Sequence, residues 1–143
     1  MDVRKRVEKN VVTEYVASDG TVFGNEYYCK KHELELAQTD ARDVVEKMPH
    51  FEVRPPLDDI DMDYTCYKVK DKNELENIKL AHFEADCTAN DFDVSDYPAY
   101  VIAEYNDEGY GSIWSFDEIV SAARNWISSM YSRMQEAESE LQH

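Results

Sequence analysis

Five carboxylates, Glu84, Asp86, Asp91, Asp93 and Asp96, fall within the fourteen residues EADCTANDFDVSDY, with no Lys or Arg among them. The deficit is wider than this stretch. From Leu80 through Ala123 there are ten acids and no base, Glu104, Asp107, Glu108 and Asp117 included. Asp58, Asp59 and Asp61 precede the run, and Phe92, Tyr97, Tyr100, Tyr105, Tyr110 and Trp114 are interleaved with it. Carboxylates accept paired hydrogen bonds from Arg, and Tyr and Trp anchor protein interfaces. A surface of this composition suits a basic groove, because its single-sign field complements that of a nucleic-acid-binding surface. The partner-binding set read from sequence is therefore Glu84, Asp86, Asp91, Asp93, Asp96, Glu104, Asp107, Glu108, Asp58, Asp59, Asp61, Tyr97 and Tyr110.

Other chemistries are weaker. Asp59, Asp61 and Asp63 alternate like the start of a calcium loop, but Tyr64 and Lys70 stand where that loop needs Gly and a bidentate Glu. Cys29, His32, His82 and Cys87 form a zinc-type ligand set without the usual CxxC or HxxxH spacing. Whether they converge on a metal is left open, and neither a metal nor a cofactor is expected. There is no G-x-S-x-G, no H-E-x-x-H and no phosphate-cradling glycine loop, so no catalytic residues are assigned and the chain does not read as an enzyme.

The net charge of −16 over 143 residues costs stability through self-repulsion, and it is unevenly spread. Residues 1–31 carry six bases and five acids, and residues 32–143 nine and twenty-six. The plain alternative is that acidity serves solubility, but such surfaces usually mix both signs. Direct binding to nucleic acid or to an anionic membrane is disfavoured for want of bases. Three cysteines, an odd number, fit a reducing compartment, and MDVRKRVEKN lacks the apolar run of a signal peptide. With no long apolar segment, a cytoplasmic location is expected.

The elements that must position these residues are mostly visible. NVVTEYVASDGTVF reads as a β-hairpin turning at Ser18-Asp19-Gly20, followed by a helix capped near Gly24-Asn25. Leu34, Ala37, Ala41, Val44 and Met48 are expected on the inner face of that helix. YTCYKVK is a strand, and the helix after it starts at Asp71 or Asn73 with Leu75, Ile78 and His82 on one face. The acidic stretch reads as a loop. AYVIAEY and SIWSF are strands around an NDEGYG turn, and a long helix opens at Phe116 with Ser115 as its cap. In that helix Phe116, Val120, Ala123, Ile127, Met130, Met134, Ala137 and Leu141 form a heptad seam, widened by Ile119, Trp126 and Tyr131. The first expectation is that the helix covers its own sheet. The second is that Ile127, Met130, Met134, Ala137 and Leu141 pair with a second copy. The fold class is α+β, in the order ββα-βα-ββα, with antiparallel sheets and helices packed on one face. The organisation is a module at 1–54, a Pro/Asp-rich linker at 55–63 and an acidic portion at 64–143, expected to form one compact unit.

Two stretches, EYVASDGTVFGNEYYCKKHE and DYPAYVIAEYNDEGYGSIWSFDEIVSAARNW, resemble the small acidic accessory proteins of phages and mobile elements in Gram-positive hosts. The resemblance carries over no residue role. It implies that the chain is similar to anti-CRISPR inhibitors that imitate DNA, so its expected partner is a basic DNA-binding protein, a CRISPR effector nuclease first. The alternative is a self-associating accessory protein whose acidity keeps it in solution.

Overall fold

The computed structural model describes residues 1–7, 11–55 and 62–141. The chain divides into two compact units, Met1–Lys47 and Met48–His143, each α+β with an antiparallel sheet.

In the first unit β1 (Asp2–Val7), β2 (Val11–Val16) and β3 (Val22–Phe23) form a sheet in that order, and α1 runs from Glu26 to Lys47. β1 is absent from the sequence reading. Its segment DVRKRV lacks an apolar face, and pairing supplies the reason it is held: Arg4 opposes Glu14, and their side chains meet at 2.8 Å. Asn25 caps α1, its Oδ1 accepting from the Tyr27 N–H at 2.8 Å. The 17–21 turn then docks on the helix by polar contacts. The Ser18 N–H and hydroxyl both donate to the Glu33 carboxylate, and His32 Nε2 lies 2.8 Å from Asp19 Oδ2. The inner face of α1 is met in part: Ala41 is buried as expected, as is Met48 just past the helix, whereas Leu34, Ala37 and Val44 are exposed and Cys29 and Val45 are buried in their place. Docking through His32 and Glu33 fixes the N-terminal half of the helix, where the expected row departs from the inner face.

In the second unit β4 (His50–Glu52), β5 (Asp63–Val69), β6 (Ala99–Tyr105) and β7 (Gly111–Ser115) form a sheet in sequence order. β4 pairs with β5, which places residues 48–54 here rather than in the N-terminal module. Residues opposite one another in an antiparallel ladder share a face. Thr65, Tyr67 and Val69 therefore lie with Ala103, Val101 and Ala99. Helix α2 (Lys72–His82) packs on this side with buried Leu75 and Ile78, and its His82 stacks on Tyr105 at 3.9 Å while meeting the Tyr67 hydroxyl at 2.8 Å. Asp71 caps α2 by accepting from the Glu74 N–H. The opposite face carries the cross-strand row Phe51, Cys66, Ile102 and Trp114, with its two ends exposed and its centre buried.

Ser115 caps α3 (Phe116–Leu141), its Oγ accepting from the Glu118 N–H at 3.2 Å. The expectation that this helix covers its own sheet is not met. None of its residues is buried, and only Ile119 and Val120 are even half-buried.

The docked 17–21 turn yields a pH prediction. The His32 contact, then the Thr21 N–H, lowers the Asp19 carboxyl from 3.8 to about 2. A depressed carboxyl stabilises the fold fully above its unfolded value and loses that effect as pH falls through its folded value. The stability advantage of the native chain over Asp19→Asn should therefore be present above about pH 4 and be lost as pH falls toward about 2. Chemical denaturation at a series of pH values reads this directly, and a pH-independent difference would contradict it.

Candidate functional site

The acidic stretch after α2 is an ordered connection. Phe83 ends the helix, its N–H donating to the Lys79 carbonyl at 2.9 Å. The next N–H, of Glu84, donates to the Gly109 carbonyl at 2.9 Å, which fixes the start of the stretch to the β6–β7 turn. A short 3₁₀ turn, η1 (Thr88–Asp91), follows, with Cys87 and Ala89 buried beneath it. Asn90 organises the segment: its Nδ2 donates to the carbonyls of Glu84 at 2.8 Å, Cys87 at 3.0 Å and Ala85 at 3.3 Å. Lys79, a buried cation, reaches under the turn and donates to the Asn90 carbonyl at 3.0 Å and to Glu76 Oε1 at 3.2 Å.

The β6–β7 turn is built to meet this segment. Asn106 Oδ1 accepts from the N–H groups of Glu108 and Tyr110, and Gly109 takes φ +85°. A Cβ at Gly109 would lie 2.8 Å from Glu84 Cγ, so only glycine lets the two segments approach this closely. Gly111 at φ +156° is equally constrained, because a Cβ there would run into the Glu104 carbonyl.

Downstream of η1 the chain borders an open cleft of about 510 Å³. One rim is Phe92–Asp96 with Pro98 to Tyr100, and the other is Ser115 with the first turn of α3. Four carboxylates line it, Asp93 and Asp96 from the loop and Asp117 and Glu118 from the helix, and no base does. Tyr100 and Phe116 supply aromatic faces, their ring centres 6.2 Å apart. This chemistry suits a guanidinium or ammonium group, which carboxylates receive by charge-assisted bonds and aromatic faces by cation–π attraction.

The structure therefore brings Asp93 and Asp96 together with Asp117 in one cleft, and Glu84 together with the Asp107–Glu108 turn at another point. Asp86, Asp91, Asp107, Glu108 and Tyr110 are exposed. Glu104 is half-buried near the end of β6, in register with Tyr64 and Ser112. Tyr97 is turned inward: its hydroxyl is buried with no hydrogen-bond partner among the described residues, and burial followed by the Asp93 charge pushes its ionisation up. Asp58, Asp59 and Asp61 lie outside the described residues. Of the zinc-type set, His32 holds Asp19, His82 holds Tyr67 and the Cys87 Sγ faces the Gly111 carbonyl at 3.4 Å. Burial pushes the Cys29 thiol up, and among the described residues no group of three or more His, Cys, Asp or Glu could hold a metal ion.

Sequence reasoning missed Lys79, Asn90, Glu118 and Phe116 as parts of this region. Lys79 had a signal, since it stands four residues after buried Leu75 on the inner face of α2. Asn90 had none, because its role depends on where three carbonyls converge.

Asn90→Ala should cost about 1–3 kcal/mol through the carbonyls it leaves unpaired. Gly109→Ala should cost about 1–2 kcal/mol from its left-handed backbone. Tyr97→Phe should instead be neutral or stabilising by up to about 1 kcal/mol, since it removes an unpaired buried hydroxyl. Denaturant unfolding of the three variants reads all of these, and a clear loss on Tyr97→Phe would reverse the assignment of its hydroxyl.

Among the described residues no helix is long and apolar enough to cross a membrane. Comparison with family models, curated proteins and solved structures finds no match.

Proposed function

We propose that the chain is a non-catalytic inhibitor that binds the basic groove of a DNA-handling defence protein by imitating phosphate charge. The observation that carries this reading is the cleft, where four carboxylates from two separate elements flank exposed aromatic rings without a compensating base. An acidic surface kept only for solubility has no need of carboxylates gathered from a loop and a helix, or of an Asn–Lys device that holds the neighbouring backbone. The cleft would receive Arg or Lys side chains that otherwise grip phosphates or read a short DNA signature, and Glu84, Asp107 and Glu108 would extend the contact. The resemblance to anti-CRISPR proteins makes a CRISPR effector nuclease the first candidate, with its DNA or PAM site the surface blocked. The protein would act in the cytoplasm of a bacterial host, where its buried thiols stay reduced.

A second reading, a self-associating accessory protein, is favoured by the uncovered α3 seam. Truncation after Arg133 separates the two: it should leave target binding largely intact under the first reading and abolish self-association under the second.

Neutralising the cleft with Asp93→Asn, Asp96→Asn, Asp117→Asn and Glu118→Gln together should weaken target binding by about 100-fold or more, since desolvated charge pairs each carry upwards of 1 kcal/mol. All four side chains belong to exposed residues, so the fold should survive. Calorimetry against a guide-loaded CRISPR nuclease measures the loss, and an unchanged affinity would remove the cleft from the interface.

A further inference from the structure

We infer that α3 pairs with α3 of a second copy as a parallel, in-register two-stranded coiled coil. The inference deepens the second reading, on which it rests, and does not depend on the inhibitor reading.

From Ser121 to Leu141 every residue of the helix is exposed, yet the sequence keeps an unbroken apolar stripe. Trp126 and Ile127 are each 45% exposed, Met130 44% and Met134 49%. The stripe steps alternately by four and three. Val120, Ile127, Met134 and Leu141 thus fall at the a positions of a heptad, and Phe116, Ala123, Met130 and Ala137 at the d positions. Ile119, Trp126 and Tyr131 widen the stripe in its first half, but the a and d positions alone hold their phase to the last turn. A helix of 26 residues is about 39 Å long, enough for more than three heptads of paired seam.

The flanking residues choose the orientation. In a parallel pair each g side chain meets the e position of the next heptad on the other helix. Arg133 at g then faces Glu138 of the second copy, and Trp126 at g faces Tyr131 of the second copy. Symmetry makes each contact twice. In a fully overlapped antiparallel pair, with Ile127 against Met130, the flanks are e to e and g to g. Asp117 would then face Glu138 and Ile119 would face Glu140, while Arg133 would exchange its acid for Trp126 and Arg124 would face Tyr131. The ion pair Arg133–Glu138 forms only in the parallel arrangement, and the acid pair Asp117–Glu138 only in the other. The small residues Ala123 and Ala137 at d bury little area, so the dimer is a modest one that forms at micromolar concentration.

The test uses the full chain alone. Sedimentation equilibrium should show a reversible monomer–dimer equilibrium. Ile127→Asp with Met130→Asp should raise its dissociation constant at least about 100-fold, because each would bury unpaired charge at the seam. These positions are exposed in the single chain, so circular dichroism of the sheet signal should not change. Arg133→Glu should weaken the dimer about three- to ten-fold, and adding Glu138→Arg should restore it. Ala137→Cys should cross-link to itself on oxidation, since equivalent d positions of a parallel pair lie within disulfide reach. A monomer at every concentration would overturn the pairing, whether the seam is then covered by residues 1–47 or left in water. Cross-linking only in a mixture of Ala123→Cys and Met134→Cys would overturn the parallel orientation. A dimer indifferent to the two aspartates would overturn the seam.

Discussion

Like-charge repulsion among the ten carboxylates between Leu80 and Ala123 is the constraint on which the second unit turns. A surface of that charge cannot be held by ion pairs along its own length, because no base stands there. It is held instead by backbone geometry. The Asn90 amide gathers three carbonyls, the Glu84 N–H reaches the Gly109 carbonyl, and glycines allow β6 and β7 to close against the loop. The cation that does contribute, Lys79, works from below through the Asn90 carbonyl rather than by pairing with the outer carboxylates of the 84–96 stretch.

This arrangement separates what folds the unit from what charges it. Leu75, Ile78, Val101 and Ala103 make the core, and most of the acids stand outside it, on the 84–96 and 106–108 segments and the first turn of α3. A preordered loop loses little conformational freedom when it binds, so more of the electrostatic attraction appears as affinity. The apolar seam of α3 is segregated in the same way, on a helix with no buried residue, so the molecule offers two surfaces of opposite character.

What the sequence made legible was local. The Ser115 cap, the start of α3, the limits of β6 and the Asp71 cap each depend on neighbours within a few residues, and each is found where the pattern places it. β1 and β4 were invisible because short, largely polar strands are defined by the partner they pair with, here Glu14 on β2 and Cys66 on β5. The inner face of α1 was read in part, at Ala41 and Met48, and missed at Leu34, Ala37 and Val44, where polar docking at His32 and Glu33 holds the helix. At the site, the carboxylates could be read from composition alone. Their grouping could not: Asp117 and Glu118 join Asp93 and Asp96 only because Ser115 sets the first turn of α3 beside the 92–100 segment. Tyr97 shows the limit of composition, being an aromatic of the right kind whose hydroxyl points inward.

The central claim is that the acidic cleft occupies a site otherwise held by DNA. The most direct measurement is competition: a labelled target duplex bound to a guide-loaded CRISPR nuclease, displaced by increasing amounts of the chain at low and at raised salt. The account predicts displacement that saturates, that is mutually exclusive with duplex binding, and that needs more protein as salt rises. Simultaneous binding of the chain and the duplex, or an affinity indifferent to salt, would contradict it.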